Sequence, residues 1–151
     1  MKIAMFGHKR IPSREGGVEI VVEELASRMV KTGNEVTCFN RNGKGCVSQK
    51  YGKRYNFNGI EVKTVPTIDK KGMAAVTAAF FSSVMAAFGK YDIVHIHAEG
   101  PAFFSWIPKL FHKKIVVTVH GLDWQREKWK GGFGAKFIRK GEENAVKYAD
   151  E

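Results

Sequence analysis

In the run VTVHGLDWQREKW, residues 117–129, a β-branched strand passes straight into a histidine, an aspartate and two tryptophans. His120 is a residue type that hydrogen-bonds a sugar hydroxyl or stabilises charge developing on a reacting group. Asp123 is suited to orienting a ligand hydroxyl. Trp124 and Trp129 offer flat faces for stacking on a sugar, with indole N–H groups available, and serve equally well as core or interface anchors. The charged run REKWK also reads as a solvated helix face.

Two further groups carry polar chemistry. His95 and His97 stand two apart, so a strand puts both on one face. That spacing suits a metal, yet no convincing third or fourth ligand accompanies it, and a pair lining a polar cleft, or one simply hydrogen-bonded near a strand end, is the simpler reading. In GHKRIPSREGGVE (7–19), Gly16 and Gly17 open a helix whose unpaired N–H groups suit a phosphate or diphosphate; alternatively the glycines only make the bend. Lys9, Arg10 and Arg14 add positive charge to that loop, whether for an anion or for solvent. The glycine spacing excludes both a dinucleotide fingerprint and a P-loop.

The elements that must position these groups alternate along the chain. Strands are expected at 2–6, 35–40, 60–66, 91–98 and 114–120. Val18, Val22, Leu25 and Met29 recur at helical spacing within 16–33, where Gly33 stops the helix. A Gly- and Lys-rich loop separates the second and third strands. An uncharged helix covers 72–88. A second helix opens at Pro101 and runs to 112, kinked or split at Pro108, and 133–149 is helical. This order predicts an α/β, Rossmann-like, doubly wound and mainly parallel sheet with helices on both faces. Ligands of such sheets bind beyond the carboxyl ends of the strands. The loop after the first strand, His95 with His97, and the 117–129 run would then share one rim.

The chain of 151 residues is long enough for one domain with a sizeable core, and 44% hydrophobic against 26% charged residues reads as globular. Its net charge of +10 points to an anionic partner: a nucleotide, an acidic membrane surface or nucleic acid. No nucleic-acid motif accompanies the charge, so nucleic acid is not the expected partner. Cys38 and Cys46 read as ordinary thiols of a reducing compartment. Nothing at the N-terminus reads as a secretory signal, and the 72–88 segment, rich in Ala, Ser and Thr, is expected to be a buried or partly membrane-facing helix rather than a membrane span.

Three stretches together, EGGVEIVVEELASRMVKTGNEVTCFNR, YDIVHIHAEGP and VTVHGLDWQREKW, resemble the N-terminal half of group 1 glycosyltransferases, retaining enzymes of the two-domain GT-B fold. The DWQREKW continuation is most similar to a bacterial rhamnosyltransferase-type subgroup that builds surface polysaccharides. The resemblance implies a Rossmann-like acceptor-side domain over 1–151, with a C-terminal donor-binding domain absent. It further implies a hexosyltransferase without metal or other cofactor as the full-length protein, with residues 1–151 inactive alone. Its partners would be a nucleotide-sugar donor and a saccharide or lipid-linked acceptor, at the cytoplasmic side of the plasma membrane. Carried over by position, Gly16 and Gly17 approach the donor diphosphate and His120 contacts the transferred sugar. His97 and Glu99 line the cleft, and Glu19 completes a Gly-Gly-x-Glu pattern or holds the helix start. A non-catalytic anion-binding α/β module and a basic nucleic-acid binder are the alternatives.

Overall fold

The computed structural model describes residues 1–43, 51–121 and 132–151. Cys46, Asp123, Trp124 and Trp129 lie outside the described residues. Six strands form one sheet: β1 (Lys2–Phe6), β2 (Glu35–Arg41), β3 (Arg54–Phe57), β4 (Ile60–Val65), β5 (Ile93–His97) and β6 (Lys114–Thr118). The spatial order is β3-β4-β2-β1-β5-β6, with every pairing parallel except β3 against β4. Among the described residues the helices are α1 (Gly17–Lys31), α2 (Met73–Phe88), α3 (Glu99–Ala102), α4 (Trp106–Leu110) and α5 (Phe133–Tyr148). The expected doubly wound α/β architecture is present.

The central strands are buried on both faces, and their side chains alternate between two cores. Ile3, Met5, Val36, Cys38 and Val62 meet Val22 and Ala26 of α1 on one face. Ala4, Phe6, Phe39, Val94, Ile96 and Ile115 face the other way, against Ala78, Ala86, Ala102 and Ala145 of the remaining helices. Period-two alternation of apolar side chains thus fills both layers, which accounts for the near-continuous apolar runs. The end of α1 follows from one glycine. Gly33, at φ +87, donates to Val30 O, and Asn34 N–H reaches back to Met29 O, a Schellman closure that satisfies the last carbonyls.

Two expectations change. The loop expected between the second and third strands contains β3, which pairs antiparallel with β4 through the two-residue turn Asn58-Gly59. Both turn residues have positive φ, the conformation that Asn-Gly adopts most readily in a hairpin. The expected helix over 101–112 is two helices, and it neither opens at Pro101 nor breaks at Pro108. Each proline is the third residue of its own short helix, a position whose N–H has no intrahelical acceptor, so proline costs nothing there. After α5 the chain turns along the outer edge of β6. Glu151 N–H donates to Ile115 O and Val117 N–H donates to Glu151 O, the pattern of parallel pairing, and Asp150 N–H also reaches Ile115 O.

Candidate active site at the sheet switch point

Strand β1 is followed by β2 on one side of it, while β5 lies on its other side, so the carboxyl ends of β1 and β5 flank the reversal of strand order. In doubly wound sheets this is where ligands bind. Gly7 leaves β1 at φ +116, and a Cβ built there would lie 1.9 Å from His97 O. Only glycine allows the two strand ends to close.

His8 follows, 1% exposed. Its Nε2 lies 3.0 Å from Asn40 Oδ1 at the end of β2. Asn40 is held in one orientation because Oδ1 accepts from Ile11 N–H while Nδ2 donates to Ile11 O and Tyr55 Oη. Since Oδ1 only accepts, His8 Nε2 must carry the proton, leaving Nδ1 as a buried acceptor without a hydrogen-bond partner among the described residues. Burial lowers the His8 pKa to about 4, so the ring is neutral.

On the other side of the reversal, β5 presents His95 and His97 on one face, their rings stacked at 4.2 Å. His95 Nε2 and Thr118 Oγ1 of β6 are 2.8 Å apart. His97 is fully buried, and its Nδ1 lies 3.0 Å from Nε2 of half-buried His120, two residues beyond β6. One of these nitrogens donates and the other accepts. His97 Nε2 has no hydrogen-bond partner among the described residues. Burial, then the charge of neighbouring histidines, lowers the pKa of His97 to about 2; burial and His120 lower that of His95 to about 4. Both are neutral hydrogen-bonding groups near pH 7.

The next residues are strained and tightly packed. Ala98 adopts φ +78 and ψ 155, a region almost confined to glycine, at the junction of β5 and α3. Glu99 begins α3 and is fully buried. Helix α5 backs it so closely that a Cβ on Gly141 would lie 2.0 Å from Glu99 O. His97, Glu99 and His120, expected to share the rim from sequence, therefore occupy one side of the switch point, with His97 and His120 in direct contact.

Gly16, Gly17, Glu19 and Arg14 belong to the β1 side. Gly16 caps α1 and Gly17 is its first residue. A Cβ on Gly16 would meet Glu19 Oε2, whereas one on Gly17 would meet nothing within 4 Å. Glu19 is the third helical residue and is buried; its Oε1 accepts Lys9 N–H at 2.9 Å and ties the β1–α1 loop down. Arg14 is 64% exposed and pairs with Glu23 at 3.1 Å and with Glu24 at 3.6 Å. Asp123 and Trp124 lie outside the described residues. Among the described residues no group of three or more His, Cys, Asp or Glu side chains is placed to hold a metal ion.

His8, Asn40 and Arg41 were not singled out in sequence. The available signal was positional: His8 stands two residues beyond a buried strand, and Asn40-Arg41 closes another.

The sequence profile of Glycosyltransferase Family 4 matches residues 15–151. The chain belongs to that family. The matched region takes in the helix-opening glycines, the β5 histidines, Glu99 and His120, while Gly7, His8 and Arg14 precede it. The fold of this family 4 chain is similar to that of sucrose-phosphate synthase from Thermosynechococcus elongatus, with a TM-score of 0.70 at 14% identity over 99% of this chain. The chain spans 46% of that protein's length. No curated protein matches it in sequence.

Proposed function

We propose that this chain forms the acceptor-side domain of a retaining sugar transferase, paired in the whole protein with a donor-binding domain. The reaction moves a sugar from a nucleotide diphosphate to a saccharide or lipid-linked acceptor, in the synthesis of a bacterial surface polysaccharide. The observation that carries this reading is the His97–His120 contact of 3.0 Å at the carboxyl edge of a switch-point sheet in a family 4 chain. Buried, neutral His97 fixes the ring orientation of His120, which hydrogen-bonds the transferred sugar near the reacting carbon and stabilises charge there as the glycosidic bond loosens. Gly16 and Gly17 bring bare backbone N–H groups to the donor diphosphate. Glu99 and His97 support the cleft wall, while Arg14, Asp123 and Trp124 belong to its mouth. The rhamnosyltransferase-type assignment rests on the DWQREKW resemblance alone. The net charge of +10 favours peripheral attachment to the anionic cytoplasmic face of the membrane.

The test is His120→Ala in the full-length protein, with turnover and thermal unfolding measured together. Loss of one preorganised contact of this kind costs on the order of a hundredfold or more in turnover. A variant of unchanged stability with nearly normal turnover would remove His120 from the active site. Turnover by residues 1–151 alone would overturn the two-domain division.

A further inference from the structure

A second recess opens on the β2 side of the switch point, away from the histidine pair. Its volume is about 190 Å³, and its walls include Lys9, Arg10, Arg41, Asn42, Asp69 and Ala74. Arg10 and Arg41, the last residue of β2, are the half-buried cations among them. The Arg41 backbone N–H donates to Lys9 O at 2.8 Å and its Nη2 to Gly7 O at 3.3 Å, so both the chain and the guanidinium are fixed. No carboxylate among the described residues lies within ion-pair distance of Arg41 or of Lys9. Arg10 shares its charge with Glu15. Burial lowers the Arg41 pKa, with Glu19 opposing the shift, yet an arginine stays protonated in proteins.

Withdrawing a guanidinium from water without pairing it is unfavourable, and an apolar residue at the end of a buried strand would avoid the cost. An anion entering the recess offsets it. Volume decides the kind of anion: ligand pockets for whole small molecules run to several hundred cubic ångströms, so this one suits a compact group. Charge narrows it further: the described lining residues bring Lys9 and Arg41, with Arg10 already paired to Glu15, against the one carboxylate of Asp69.

We propose that this recess is a phosphate-binding subsite, with Arg41 as its anchor and Lys9 at its mouth. Assigning the phosphate to the acceptor rests on the glycosyltransferase reading; the binding itself does not. The phosphate belongs either to a soluble sugar phosphate or to a lipid headgroup.

Calorimetry of the 151-residue chain with inorganic phosphate tests the subsite directly. Saturable one-to-one binding is expected, weakened about tenfold or more in Arg41→Gln, which loses a charge-assisted contact. Asp69→Asn should tighten it several-fold. Lys140→Gln, which removes the same charge on α5 far along the chain, should leave it unchanged. Should Arg41→Gln fail to fold, the opposite signs expected for Lys9→Gln and Asp69→Asn carry the test. Absent binding, or equal weakening by Arg41→Gln and Lys140→Gln, would overturn the proposal while leaving the His120 turnover test intact. Glucose 6-phosphate binding more tightly than inorganic phosphate supports the soluble source. Preference for vesicles containing phosphatidic acid over phosphatidylserine supports the lipid source.

Discussion

Adjacent glycines at the start of α1 separate packing from function. Gly16 faces the Glu19 carboxylate, so a methyl group there must displace it. Gly17 has helical geometry and faces open space among the described residues, none of which requires glycine at that position. Replacing glycine by alanine where the backbone permits it stabilises a protein by about 0.4–1 kcal/mol. Gly17→Ala should therefore unfold at slightly higher temperature; on the proposed reading, in which these N–H groups serve the donor diphosphate, the full-length protein should also lose turnover at limiting donor. A stabilised variant with unchanged donor KM would make Gly17 a simple bend. Sequence alone left these readings balanced, since glycine spacing does not reveal what a Cβ would touch. His8 escaped notice for a related reason: its tautomer depends on Asn40, more than thirty residues away and brought near only by the β1–β2 pairing.

At the scale of elements, α2 is arranged unusually. It turns Ala78, Ala79, Ser82, Ser83, Ala86 and Ala87 inward and leaves Phe80, Phe81, Met85 and Phe88 exposed. Small side chains let the helix lie close to the sheet. The exposed apolar side chains continue onto α4 through Trp106 and Leu110 and onto Phe111 just beyond it, with Phe88 and Phe111 ring centroids 4.6 Å apart. Lys70, Lys71 and Lys90 flank α2. No helix among the described residues is long and apolar enough to cross a membrane. This face should instead bind anionic vesicles reversibly, and weaken with salt. Phe88→Ser with Leu110→Ser should reduce partitioning about tenfold or more, since each side chain contributes roughly 1.5–3 kcal/mol when buried. Equal co-sedimentation with neutral vesicles would contradict the electrostatic part. The helix itself was legible as an uncharged run, but its orientation was not. A segment without charges carries no polar stripe to mark its outer face, and the large residues went the unexpected way.

For the whole molecule, buried neutral histidines set a pH dependence of stability. The folded-state pKa values of His8 and His95 are about 4 and that of His97 about 2, against 6.5 ordinarily. Below pH 6.5 the unfolded chain takes up protons that the folded chain refuses, so stability falls as pH falls from 6.5 towards 4. Each histidine contributes at most about 1.4 kcal/mol per pH unit in that window. Urea unfolding at pH 7 and pH 5 should show the loss, and His8→Gln should make it shallower. A flat profile between those pH values would show that the rings protonate without unfolding the chain. The parallel sheet, its order of elements and the rim at its carboxyl ends were all readable in the alternation of apolar runs. Beyond that reach lay β3, hidden in a polar loop whose Asn-Gly turn was the only mark. So too was Arg41, whose significance depends on a cavity that no spacing rule describes.

The contact between Gly7 and the His97 carbonyl has a consequence for selection experiments. In a randomised library, position 7 should return glycine alone under any screen that reports folded protein, because every other side chain drives two central strands apart. Position 17 should accept many residues under that screen and few under one that reports sugar transfer. The difference between the two survivor lists would then separate, position by position, residues required for assembly from those required for the reaction.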